Sequence, residues 1–149
     1  MRAVAQRVHS ARVTAGDELL CEQGPGLLAL VGVGHRDTVA SAAELARKLV
    51  HLRIFNDADE RMNRSLLDTG GTLGVVSQFT LFGDARQGRR PSFVEAARPE
   101  HAAPLVEAVV EASRRHGAHV VTGRFQTMMH VTLVNDGPVT LLLDTEKRF

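Results

Sequence analysis

The sequence predicts an α/β fold: two packed β-sheets, mixed and barrel-like, with two main helices on one face, a three-layer α/β/β arrangement. Three observations predict it. Apolar runs of strand length outnumber helical stripes along the chain. Residues 27–33 are apolar without a break and residues 73–82 nearly so, the pattern of strands covered on both faces. Only two stretches carry apolar residues at helical spacing: Ala42, Leu45, Ala46, Leu49 and Leu52, then Leu105, Ala108, Val109 and Ala112. Few helices among many strands pack best as a layer on one side of the sheets.

The 149 residues are the length of one domain, taken here as 1–149, and enough to bury a core without staples. Cys21 is the single cysteine, so no internal disulfide forms and a reducing, cytoplasmic location is expected. No signal segment opens the chain and no apolar run approaches ~18 residues, so no membrane partner is expected. Eighteen Lys and Arg face seventeen Asp and Glu, a net charge of +1 that excludes a globally basic protein but not a local basic patch. With no Trp, no Tyr and six Phe, base stacking on aromatic platforms is not the main binding mode.

Taken in order, residues 2–14 read as one or two strands, and Gly16-Asp17 returns the chain through residues 18–23 as a hairpin. Gly24-Pro25-Gly26 reads as another turn before the strand at 27–33. A helix starts at Asp37 or Ser41, with Ser41 and Glu44 at capping-box spacing, and runs to about Phe55. Residues 56–65 are polar and turn-like, and Gly70-Gly71 marks a further turn. The second helix ends at His116 with Gly117 beyond it and Arg114 and Arg115 in its last turn. Pro104 is tolerable only in a first turn, which places that helix start near Ala102 or demands a kink. Residues 118–122, 129–134 and 139–143 are strands, the last two separated by Gly137-Pro138.

Three stretches invite a functional reading beside a structural one. Ser77, Gln78 and Thr80 interrupt the apolar run 73–82, and each costs ~1–3 kcal/mol if buried without a partner. Neighbouring strands satisfy them, or the strand end opens into a site, as is frequent in α/β folds. Arg86, Arg89 and Arg90 surround Gly88 in a loop closed by Pro91, either solvated or placed to meet phosphate with forked donors. Gly137-Pro138 reads as a plain hairpin turn, or as rigid bare backbone held near a ligand.

Common catalytic patterns are absent. There is no G-x-S-x-G, no P-loop and no G-x-G-x-x-G opening a helix. Cys21 has no evident His partner, and His116 and His119 lack a third ligand in sequence. His130 reads as a surface or packing residue. No metal and no cofactor are expected.

Two motifs carry a resemblance. Ser77-Gln78-Phe79-Thr80-Leu81 and Asn135-Asp136-Gly137-Pro138-Val139-Thr140 resemble the SQFTL and NxGPVT motifs of the D-aminoacyl-tRNA deacylases. Ala5-Gln6-Arg7-Val8, Leu52-Arg53-Ile54-Phe55 with Met62-Asn63, and Gly88-Arg89-Arg90-Pro91-Ser92-Phe93 agree with other stretches of that family in the same order. The resemblance implies a homodimer with active sites at the subunit interface. The partner is the aminoacylated 3′ end of tRNA, and no DNA partner is expected. The implied reaction is hydrolysis of the ester joining a D-amino acid to the terminal adenosine. A cis Gly137–Pro138 peptide from one subunit would enter the other's pocket, its carbonyls meeting the substrate's α-amino group. An L side chain would strike that turn and a D side chain would point away. Glycine, without a side chain, would pass, making glycyl-tRNA mischarged on tRNA(Ala) a second substrate.

Backbone donors at Phe79 and Thr80 would stabilise the oxyanion, while Ser77 and Gln78 fix the strand and the adenosine end. Arg7 would hold the Gly-Pro turn, and Met129 would line the pocket near it. Asn135, Val139, Thr140 and Thr127 complete the substrate-binding set, with Arg86, Arg89 and Arg90 facing phosphates. The alternative is Thr80 as an acyl-enzyme nucleophile, although no base is evident to activate it. The chain departs from the family at Gln126 and Thr127, which replace two small residues. It also lacks the usual Gly before the basic residue in Asp59-Glu60-Arg61. Rival classes are a non-catalytic RNA-binding module, a relative clearing L-alanine from mischarged tRNA, and a purely structural dimer.

Overall fold

A computed structural model describes residues 1–149. Its elements are β1 (Arg2–Ala15), β2 (Glu18–Gln23), β3 (Gly26–Gly32), α1 (Val39–His51), β4 (Phe55–Asn56), β5 (Met62–Arg64), α2 (Leu66–Thr69), β6 (Thr72–Ser77), a 3-10 turn at Phe79–Phe82, α3 (Pro99–Arg115), β7 (His119–Thr122) and β8 (His130–Asp144). Six strands form one mixed, nearly closed, barrel-like sheet, and β4 with β5 forms a second, small one. The α/β architecture expected from the sequence is the one observed.

β1 is the spine. One edge pairs antiparallel with β2 and β3, and the other pairs antiparallel with β8 along nearly its whole length. Val8 pairs with Gly26 and Ala11 with Gln23, so the same register runs through both partners. Gly24-Pro25 is therefore an interruption in one long return strand and not the turn the sequence suggested. Proline cannot donate to the ladder, so pairing lapses there and resumes. The Gln23 side chain fills the gap, donating to the carbonyls of Leu27 and Thr72 at 3.1 Å each. Gly74 has no Cβ because one would sit 2.1 Å from that amide's oxygen.

β3 continues in parallel to β6, and β6 to β7. Alternation divides their side chains between two cores. Leu27, Ala29, Val31, Leu73 and Val75 face α1 and α3, while Leu28 and Val76 join Val8, Ala11 and Val13 on the other side. Burial on both faces explains the unbroken apolar runs.

Several boundaries differ from expectation. The first helix is capped by Thr38, whose hydroxyl accepts from the Ser41 N–H while the Ser41 hydroxyl accepts from the Thr38 N–H. The box thus lies one turn before the Ser41–Glu44 pair. The helix stops at His51, short of Phe55, because the Ile54 carbonyl is taken by Arg7 and Phe55 pairs with Arg64. The polar stretch 56–65 contains that small hairpin, and a one-turn helix capped by Ser65 and Asp68 precedes Gly70. α3 begins at Pro99 and keeps Pro104 inside it. Pro104 is exposed, so the Glu100 carbonyl it leaves without a donor faces water.

Candidate active site

The strand predicted over 73–82 ends at Ser77. Val31 opposite Ser77 is the last β3–β6 pair, and the Gln78 N–H still donates to the Val31 carbonyl at 2.7 Å. The chain then tightens into the 3-10 turn Phe79–Phe82. Gly32 permits this, since a Cβ there would stand 2.9 Å from the Gln78 carbonyl oxygen. The first N–H groups of such a turn have no partner inside it. Those of Phe79 and Thr80 make no hydrogen bond within the chain. The Thr80 hydroxyl accepts from Gln78 Nε2 at 3.0 Å. The Phe79 ring meets Phe93 edge-on at 5.1 Å and remains 58% exposed.

These groups border a cleft of about 670 Å³ at the carboxyl end of the parallel strands β3 and β6. The first turns of α3 and the connection from β7 to β8 supply its other walls. Ser77, Gln78, Phe79, Thr80, Thr127 and Met129 line it together. Of its 17 lining residues 11 are hydrophobic, and none is Asp, Glu, His, Cys, Lys or Arg. Sequence reading missed the walls made by Val33, Ala97, Pro99, Ala102, Val106 and Phe125. Their only signal is an apolar face, which core residues share.

The β7–β8 connection is anchored at both ends. Arg124 donates to both Glu18 carboxylate oxygens, at 2.9 and 2.6 Å, and holds that carboxyl below its ordinary range. Gly123 leaves room for Met129, whose sulfur would lie 2.7 Å from a Cβ there. Between them Gln126 adopts φ +54, a conformation that favours glycine.

Gly137 and Pro138 do not line this cleft. Nor do they form a hairpin turn, since β8 is one strand running along one edge of β1. Gln6 pairs with Thr140 and Val8 with Asn135, so two steps along β1 are matched by five along β8. The surplus residues stand out as a bulge carrying the Gly137–Pro138 peptide, which is cis, with both residues exposed. The bulge is braced from two sides. Asn135 accepts from the Val139 N–H at 2.7 Å and donates to the Val139 carbonyl and Thr140 Oγ1 at 3.2 Å each. Buried Arg7 donates to the Asp136 carbonyl at 2.9 Å and the Ile54 carbonyl at 2.6 Å, and pairs with the Asp136 carboxylate at 3.2 Å. Thus Arg7, Asn135, Val139 and Thr140 gather around Gly137-Pro138 and apart from Ser77–Thr80.

In the basic loop, Arg86 is engaged by Asp84 at 2.6 Å, which holds that carboxyl well below the usual range. Arg89 and Arg90 are exposed and make no ion pair. His116 meets His51 edge-on at 5.4 Å. No three His, Cys, Asp or Glu side chains converge as a metal-holding group. No helix is long and apolar enough to cross a membrane.

Comparison with known proteins shows the family. The family model described as D-Tyr-tRNA(Tyr) deacylase matches residues 4–144. A D-aminoacyl-tRNA deacylase of Symbiobacterium thermophilum is 56% identical over 149 residues, covering 100% of this chain and 99% of that protein. One from Roseiflexus sp. is 59% identical over 145 residues, covering 97% and 94%. A solved structure described as c-Myc DNA Unwinding Element Binding Protein superposes with a TM-score of 0.92 at 34% identity, covering 97% of this chain and 99% of that one. With nearly every residue inside the matched span, the chain belongs to the D-Tyr-tRNA(Tyr) deacylase family.

Proposed function

We propose that this protein hydrolyses the ester of D-aminoacyl-tRNA, releasing the free D-amino acid and tRNA. Glycyl-tRNA mischarged on tRNA(Ala) is its second substrate. One observation carries the reading: two unpaired N–H groups belong to residues that line a cleft with no ionisable side chain. Such a cleft suits an ester that is already activated and needs orientation and oxyanion stabilisation more than an acid–base pair. Water adds to the ester carbonyl, the Phe79 and Thr80 N–H groups hold the developing oxyanion, and the ribose oxygen leaves with a proton. The neighbouring ribose 2′-hydroxyl assists the attack.

The stereochemical filter is the Gly137–Pro138 bulge. It is exposed and lies outside its own chain's cleft, which supports its use by a second copy. The working form is then a homodimer with two sites at the interface. β8 is an open edge with exposed Val134 and Leu142, a surface that suits pairing with another copy. Gly137 and Pro138 carbonyls meet the substrate's α-amino group, and an L side chain collides with the braced bulge. A Thr80 acyl-enzyme is disfavoured, because nothing lining the cleft could serve as its base.

The test is deacylation of matched D-, L- and glycyl-tRNA. Hydrolysis of the D and glycyl esters with sparing of the L ester is expected. Binding of tRNA with all three esters intact would make the protein a carrier and end the proposal.

A further inference from the structure

The 3-10 turn carries two N–H groups without a partner in the chain, on residues that line the cleft, and something must hold it from behind. Gln78 secures the front through Val31. The rear is met by Arg2, at the start of β1 and outside the cleft lining. Its Nη1 donates to the Leu81 carbonyl at 3.1 Å, and its guanidinium carbon lies 4.4 Å from the centre of the Phe82 ring. Its Nε is 3.7 Å from Asp144 Oδ2, a buried oxygen with no hydrogen-bond partner. One planar cation therefore touches the Leu81 carbonyl near the end of the turn, a buried ring within it, and the carboxylate at the end of β8.

We propose that Arg2 is a positioning residue for the deacylation: it sets the pitch of the Phe79–Phe82 turn and so aims the Phe79 and Thr80 N–H groups. The inference rests on the oxyanion reading given above. Two of its three contacts fall on the turn itself. Leu81 and Phe82 are its last two residues, while the donors are its first two. In so short a segment, rotation at one end is transmitted to the other. Phe82 is 7% exposed, so its ring supplies a fixed plane for the guanidinium. Asp144 keeps the guanidinium from swinging away, and its unsatisfied oxygen has Arg2 as its only cationic neighbour. Lysine would keep a charge and one donor but not the flat face that spans ring and carbonyl.

The experiment is single-turnover hydrolysis of D-aminoacyl-tRNA with enzyme in excess, which reads chemistry per competent site and is insensitive to a misfolded fraction. Arg2→Ala is expected to lower the rate constant about tenfold, the scale of small misplacements at a reacting centre. tRNA affinity should stay unchanged, Arg2→Lys should recover part of the rate, and added guanidinium ion should restore Arg2→Ala. An Arg2→Ala rate equal to wild type overturns the proposal, and so does a loss that neither lysine nor guanidinium relieves. Should Arg2→Ala not fold, Phe82→Leu removes the ring face, and an unchanged rate there overturns it equally. A wild-type protein inactive on D-aminoacyl-tRNA would instead remove the oxyanion reading beneath it.

Discussion

Phe79 and Thr80 sit side by side, yet their side chains and their backbones carry different weight. The Thr80 hydroxyl is occupied as an acceptor for Gln78 Nε2 and has no base within the cleft. Thr80→Ala should therefore retain a kcat within about fivefold of wild type, since no nucleophile is lost. A correctly folded but inert Thr80→Ala enzyme would reinstate the acyl-enzyme. Phe79 is the first residue of the turn, where proline is tolerated because the N–H is not used inside the helix. Phe79→Pro should keep the fold and lower kcat by roughly 10²–10³, the usual effect of removing one oxyanion donor. Steady-state kinetics with thermal melts on both variants separates the side chain from the main chain.

At the scale of elements, β8 and α3 each contain a residue that their regular structure would reject. In β8 the Gly-Pro pair cannot sit in a flat ladder, and the strand extrudes it while pairing resumes on either side. The outcome is a rigid projection whose base is tied by Asn135 and Arg7. In α3, Pro104 withholds the N–H that the Glu100 carbonyl would receive. Because this face is exposed, Pro104→Ala should stabilise the protein by about 1 kcal/mol, less than the full interior penalty. Chemical denaturation checks it, and a lower midpoint would mean that the proline shapes the cleft wall formed by Pro99, Ala102 and Val106.

For the whole molecule, the separation of cleft and bulge makes a prediction about mixed dimers. A Gly137→Ala chain keeps its cleft and spoils its bulge, and a Phe79→Pro chain does the reverse. Co-refolded heterodimers should recover close to half the wild-type activity in one reconstituted site. Mixtures no more active than the separate variants would place the filter within each chain. Acid stability follows from surface carboxylates. Arg124 lowers Glu18, the Arg61 N–H lowers Asp57, the Ser65 N–H lowers Asp68, and Arg86 lowers Asp84. Folding favours their charged forms, so their stabilisation is present above the ordinary values of 3.8 for Asp and 4.5 for Glu and is lost as pH falls through the folded ones. Tm should stay level from about pH 8 to 5 and decline below about 4.5. All four groups are exposed, so the decline should be shallow; a fall beginning near pH 6 would point to histidine instead.

Much was legible in the sequence because it is written in local pattern. The unbroken apolar run at 27–33 and the nearly apolar one at 73–82 mark doubly covered strands, helical stripes mark α1 and α3, and the paired motifs at Ser77–Thr80 and Asn135–Thr140 mark the strand end that borders the cleft and the bulge in β8. Local pattern could not show that Gly24-Pro25 continues a strand, that Ser77–Leu81 leaves one, or that Gly137-Pro138 is a bulge. Each outcome depends on what a distant segment offers: β1 register for the first, Gly32 and the Val31 carbonyl for the second, Arg7 and the unbroken edge of β1 for the third. Hydrophobic periodicity reports which way a residue faces, and it is read from neighbours in sequence. Hydrogen-bond partners and room for a missing Cβ come from residues far along the chain, so only tertiary structure decides them.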